Sequence, residues 1–180
     1  MSEQIITTRF PTEADLEASK IKQLMDLINA VYDDAESGMW KRLGTRTNPG
    51  EVERLLRNQA LILAELDGML VGAVKVNLMN DGIGEFGMLV ANRNQRGKGI
   101  GSALVDRAEH WARDVACHTI RLELLTPHNW IHPSKELLKQ RYSRIGYTPP
   151  ATEPFETLHP ELVPDLATEC DFTVWHKSLR

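Results

Sequence analysis

Residues 96–102 read Arg-Gly-Lys-Gly-Ile-Gly-Ser, with glycines at every second position around a lysine, and an amphipathic segment follows at once. Glycine removes the side chain where a backbone must come close to a ligand, and a helix start offers amide N–H groups without carbonyl partners. That pairing suits phosphate. Arg96 and Lys98 add the positive charge that a diphosphate needs and a plain turn does not. Two rival phosphate loops fit less well. A Walker loop requires Gly-Lys followed by Ser or Thr, and Lys98 is followed by Gly99. A dinucleotide fingerprint would use Glu123 as its ribose-binding acid. Its strand should run almost directly into the first glycine, whereas Asn92 to Arg96 intervene here, after an antiparallel meander.

Working outward, Leu61 to Leu66 and Met69 to Leu78 are strand-like runs joined by Asp67-Gly68, a pair that tolerates the positive φ angles of a tight hairpin. Asn80-Asp81-Gly82 turns the chain into a further strand, Glu85 to Ala91. After the glycines, Ile100, Leu104, Ala108, Trp111, Ala112 and Val115 share one helical face, with Glu109 and Arg113 paired four apart. Thr119 to Leu125 alternates as a strand, and the intervening helix makes it parallel to the strand before it. Toward the N-terminus, Ile5 to Phe10 reads as a strand stopped at Pro11. Thr12 then caps a helix carrying Leu16, Ile21, Leu24, Met25, Leu27, Ile28 and Val31. Tyr32 to Thr47 loses the period and reads as an exposed loop or short helix, and Asn48-Pro49 opens a second helix through about Arg57. Toward the C-terminus, Pro133 to Ile145 is a helix ended by Gly146, and Phe172 to His176 a last strand. Between them the proline-rich Pro149 to Pro164 reads as an ordered insertion or flap.

The chain of 180 residues is 42% apolar and 26% charged with a net charge of −4, which describes one globular domain spanning 1–180. That balance argues against non-specific nucleic-acid binding, which needs a basic surface. No apolar run approaches the roughly eighteen residues of a membrane span. Met1 to Arg9 lacks the basic start and apolar core of a secretory leader, so a cytoplasmic location with Cys117 and Cys170 reduced is expected. Homodimerisation is left open.

These residues resemble the GNAT acetyltransferase superfamily, whose cofactor motif is Arg or Gln, two residues, Gly, one residue, then Gly or Ala. Arg96, Gly99 and Gly101 fill those positions. Leu89-Val90-Ala91 sits at the spacing of the family's fourth strand, and Tyr142 to Tyr147 is similar to its Tyr-x-x-x-Gly-Phe/Tyr ending. The resemblance implies an α/β fold: an open mixed sheet of about six to seven strands, an antiparallel meander followed by parallel, splayed strands four and five, with about four flanking helices. It implies acetyl-CoA as acetyl donor, its pantetheine beside Leu89, Val90 and Ala91. Its pyrophosphate would rest on the amides of Gly97, Lys98, Gly99, Ile100, Gly101 and Ser102, with Arg96 nearby.

Acetyl transfer to an amine needs the amine neutral, and an alkylamine of pKa ~10.4 is only about 0.1% neutral near pH 7.4. Tyr142 matches the family's usual general acid. Glu85 resembles the position where histone-acetylating members place a base, and Glu123 on the next strand is a second candidate. An oxyanion would meet a backbone N–H freed by a bulge near Leu89 or Val90. The loop after the first helix, where acceptors enter such enzymes, supplies Asp33, Asp34, Glu36 and Trp40, groups that would attract a cationic amine. One departure from the family is the longer loop Thr126 to Pro133, which puts Asn129 far ahead of Tyr142 and adds Trp130 as a pocket or core aromatic. His128 and His132 lie four apart, but Pro133 starts the helix, so no metal site is expected. The reading is an N-acetyltransferase acting on a small-molecule primary amine. Protein lysine or N-terminal acetylation and a non-catalytic acetyl-CoA sensor are its alternatives.

Overall fold

The computed structural model describes residues 5–180, with the backbone alone at 150, 151, 153 and 154. The leader reading at residues 1–4 lies outside them. Strands β1 (Ile6–Arg9), β2 (Leu61–Leu66), β3 (Met69–Leu78) and β4 (Ile83–Ala91) form the antiparallel meander. Asp67 and Gly68 both take positive φ at the hairpin, 51° and 78°, as a two-residue turn between twisted strands requires. Helix α3 (Ile100–Asp114) carries the chain to β5 (Thr119–Pro127), which runs parallel to β4. β7 (Cys170–Ser178) and β6 (Thr148–Pro154) complete a sheet in the order β1-β2-β3-β4-β5-β7-β6. Helices α1 (Ala18–Ala35), α2 (Pro49–Arg57), α4 (Pro133–Arg144) and the single turn α5 (Phe155–Leu158) accompany it.

Each face of the sheet carries its own core. Ile100, Leu104, Val105, Ala108 and Ala112 of α3 pack with Val74, Val76, Phe86 and Ile120. Fully burying each large aliphatic side chain there contributes about 1.5–3 kcal/mol. On the opposite face Ile21, Leu24 and Ile28 of α1 and Val52, Leu55 and Leu56 of α2 pack with Leu61, Leu63 and Ala73. Buried Glu109 pins α3 to the far side of the sheet, accepting from Lys177 at 2.8 Å and from the Tyr147 hydroxyl at 3.0 Å. Arg113, its expected partner, stands 3.7 Å away.

Three sequence readings change. Thr12 caps a short 3-10 turn, Glu13–Leu16, through Asp15 rather than α1, which begins only at Ala18. Helix α1 runs on to Ala35, because Val31 and Tyr32 keep packing against the α1–α2 core, so Tyr32, Asp33 and Asp34 are helical. The proline-rich segment contains β6. Prolines there are compatible with pairing because β6 is the sheet's edge, where one side of the strand needs no donor.

The β3–β4 ladder slips where it matters most for a site. Ala73 pairs with Val90 and Lys75 with Gly87, so two steps on β3 face three on β4. The extra residue is a bulge centred on Met88, which stands at φ 47° though it is not glycine. Its effect shows in the packing. Phe86 faces the α3 core, whereas Met88 and Val90 face the α1–α2 core. An unbroken strand would keep all three on one face.

Candidate active site

β4 and β5 pair only at Ile83↔Thr119, Gly84↔Ile120 and Glu85↔Arg121. Beyond Glu85 the bulged β4 follows β3 while β5 follows β7 to Cys170, so the edge of β4 from Phe86 to Ala91 and that of β5 from Leu122 to Pro127 diverge. Leu89, Val90 and Ala91 therefore offer backbone groups toward a wedge-shaped gap.

At the end of β4 the glycine-rich segment turns into α3. Gly97 and Gly99 adopt φ 79° and 81°, a conformation that L side chains rarely take, and the Gly99 carbonyl accepts the first α3 bond from Ala103. Among the described residues, the amides of Gly97, Gly99, Ile100, Gly101 and Ser102 donate to no carbonyl. They form a cluster of N–H groups at a helix start. Arg96 and Lys98 lie exposed beside it. A further cation comes from α4. The guanidinium of Arg141 donates to the Ser102 hydroxyl at 3.3 Å and covers Gly101. The sequence reading missed Arg141, although its place one residue before Tyr142 is a signal that could have raised it.

Tyr142 projects from α4 among Phe86, Tyr147 and Trp175 and is only 3% exposed. Burial pushes its phenol above the ordinary value of 10.0. Its hydroxyl makes no hydrogen bond among the described residues, and Tyr142 lines a cavity of about 590 Å³ at the mouth of the gap. Glu85 and Glu123 line the same cavity. They share one cation: Arg121 donates to Glu85 at 2.7 Å and to Glu123 at 2.9 Å. The second oxygen of Glu123 faces Nε2 of His159 at 3.4 Å.

Residues 22–133 match the sequence model of the Acetyltransferase (GNAT) family, more than half of the chain. The chain belongs to the GNAT acetyltransferase family. No curated protein matches its sequence. Among solved structures it is similar to the ribosomal-protein-alanine N-acetyltransferase from Brucella melitensis, at 19% identity and a TM-score of 0.67 over 96% of this chain and 99% of that one. It is also similar to YncA from Salmonella typhimurium, solved with its cofactor acetyl-CoA, at 15% identity and a TM-score of 0.68 over 98% and 95% of the two chains. N-acetylglutamate synthase from Neisseria gonorrhoeae, complexed with coenzyme A and N-acetyl-glutamate, matches at 13% identity and a TM-score of 0.67 over 99% of this chain but 36% of its own. At such identities the likeness is one of fold.

The cavity of this GNAT chain is roofed by two segments the sequence left loosely described. Trp40 bridges to Leu166, the Lys41 amide donates to the Asp165 carbonyl at 2.9 Å, and the Trp40 ring meets Phe155 edge-on. The loop after α1 and residues 155–165 thus close over the cavity together. Asp33, Glu36 and Trp40 line it. Glu36, however, is no solvated acid. It is 7% exposed, and its oxygens accept from Lys135 at 2.7 Å and from the Trp40 indole at 2.5 Å. Asp33 accepts the Gly44 amide at 2.7 Å, and Asp34 turns away to Arg93 at 2.9 Å. Trp130 lies outside the lining, 40% exposed, tilted against the His132 ring and hydrogen-bonded to Thr168. Asn129 is held by Glu169 at 3.2 Å and His128 by Asp171 at 2.7 Å. Among the described residues no three metal-capable side chains gather, and no helix is long and apolar enough to cross a membrane.

Proposed function

We propose that this GNAT member moves an acetyl group from acetyl-CoA to the primary amine of a small molecule, by direct transfer within a ternary complex. The observation that carries the reading is the unpartnered hydroxyl of buried Tyr142, in a cavity at the point where β4 and β5 part. The chain's own groups fit the cofactor. Amides at 97–102, with Arg96 and Arg141, would hold the pyrophosphate, and the free edge at Leu89–Ala91 would meet the pantetheine amides. Acetyl-CoA supplies an activated thioester carbonyl.

The residues then divide the work. A main-chain N–H released at the Met88 bulge, at Leu89 or Val90, meets the negative charge that develops on the carbonyl oxygen. Glu123 or Glu85, directly or through water, takes the proton of the incoming ammonium. Tyr142 gives its proton to the departing sulfur and regains one from the acylated nitrogen, which sheds its second proton as the amide forms; the raised phenol stays protonated until the sulfur leaves. The roof of residues 40–41 and 155–166 favours a small acceptor over a protein chain. Measuring acetyl-CoA turnover on an amine library and a peptide library tests this. Turnover on free amines is expected, and turnover confined to peptides would overturn it. Tight acetyl-CoA binding without any turnover would favour a sensor.

A further inference from the structure

The charges of the acceptor cavity are not all committed. Of its acids, Glu36 is held by Lys135 and Trp40, Glu85 and Glu123 share Arg121, and Asp33 caps the Gly44 amide. Of its cations, Lys135 is consumed by Glu36. Arg42, Arg46 and Lys75 also line the cavity and pair with no carboxylate among the described residues. Their positions bracket the reacting point. Lys75 stands opposite Gly87, at the first step of the β4 bulge, and a side chain built on Gly87 would meet only open space. The Arg46 guanidinium lies 4.8 Å over the ring of Tyr32, another lining residue. Of the lining acids, Asp165 has no side-chain partner among the described residues, Asp33 meets only a backbone amide, and Glu85 and Glu123 share one guanidinium, so the cavity presents both signs of charge, with Arg46 and Lys75 as cations free of carboxylates.

We propose that the acceptor amine also carries an acidic group, a carboxylate or a similar oxyanion, and that Arg46 and Lys75 bind it while the amine faces the thioester. The inference rests on the cavity being the acceptor site of an acetyltransferase. Arg46 is exposed and Lys75 half-buried, with donors not spent on a carboxylate, and a guanidinium lying over a ring is preorganised to present its donors to an oxyanion. An amino acid satisfies the requirement, since its amine and its acid lie a few bonds apart. A diamine or polyamine does not, because it offers Arg46 and Lys75 no oxyanion.

The test uses the full chain with acetyl-CoA and a panel of amino acids, their carboxamides, polyamines and short peptides. The acids are expected to exceed their own amides in kcat/KM by about 10- to 100-fold, the range for a charge-assisted pair. Arg46→Gln and Lys75→Gln should each shrink that ratio by about tenfold, with far-UV circular dichroism confirming the fold. Amides or polyamines turned over as fast as the acids would overturn this inference and leave the acetyltransferase reading standing. Turnover of peptides alone, or of nothing in the panel, would overturn the acceptor-site reading and the inference with it.

Discussion

The guanidinium of Arg141 sits where a side chain on Gly101 would have to go, 2.9 Å from the place of its Cβ. Gly97 and Gly99 are glycine for their backbone angle, with open space beside them, but Gly101 is glycine to admit a cation over the start of α3. Gly101→Ala should fold, since the atom it displaces is the tip of a flexible chain, and weaken acetyl-CoA about three- to tenfold. Arg141→Ala should weaken it by about tenfold, and the double variant no further. Calorimetric Kd values for the four proteins check this, and additive losses would mean that Arg141 does not act at the cradle.

Tyr142→Phe keeps the ring against Phe86, Tyr147 and Trp175 and removes a hydroxyl without a hydrogen-bond partner, so stability should change little. Turnover should fall about 100- to 1,000-fold with acetyl-CoA affinity unchanged. Because burial raises the phenol, Tyr142 should cause no loss of activity on the alkaline side up to about pH 10. Tyr147→Phe is the contrast. It breaks the bond to Glu109 and should lower stability by about 1–2 kcal/mol without the loss in turnover.

For the proton acceptor, Glu123→Gln and Glu85→Gln are compared across pH. The variant that removes the base should lose about 10- to 100-fold near pH 7 and recover as pH rises toward the pKa of the amine, where the free base is already present. A loss that is flat with pH in both variants would assign the pair a positioning role through Arg121.

Lys135→Met leaves Glu36 buried without its cation and should cost about 3–5 kcal/mol in chemical denaturation. Adding Glu36→Gln should restore most of it, as the amide oxygen can still accept from Trp40. Equal losses in the single and double variants would show that the charge of Glu36 is not the penalty.

Arg9 holds the Asp15 carboxyl down at about 2, chiefly through their hydrogen bond, against an ordinary 3.8. A depressed acid stabilises the fold above its unfolded pKa, and that contribution is lost as pH falls through about 2. With Arg9 a third exposed, it is worth about 1–2 kcal/mol at neutral pH. Asp15→Asn should lower stability by that amount at pH 7 and by less at pH 3, read from urea midpoints.

The meander, the glycine turn into α3 and the place of Tyr142 on α4 were legible because each is a local pattern: an alternation, a turn pair, a motif of fixed spacing. The parallel pairing of β4 and β5 followed from the helix between them. What stayed hidden depends on distant partners. Nothing near Glu36 announces Lys135, and nothing near Gly101 announces Arg141, since both partners arrive on α4. Glu36 therefore read as a free acid attractive to cations, and the cavity's uncommitted cations went unseen. β6 was masked by Pro149, Pro150 and Pro154, whose tolerance depends on the strand being an edge, a property of topology alone.

Calorimetric titration of the folded protein with acetyl-CoA tests most directly whether the amides at the start of α3 hold a pyrophosphate. One site per chain is expected, weakened by added salt and abolished by Gly99→Glu, which sets bulk and negative charge in the cradle. Heat with a nicotinamide dinucleotide or ATP and none with acetyl-CoA, or undiminished acetyl-CoA binding in Gly99→Glu, would contradict it.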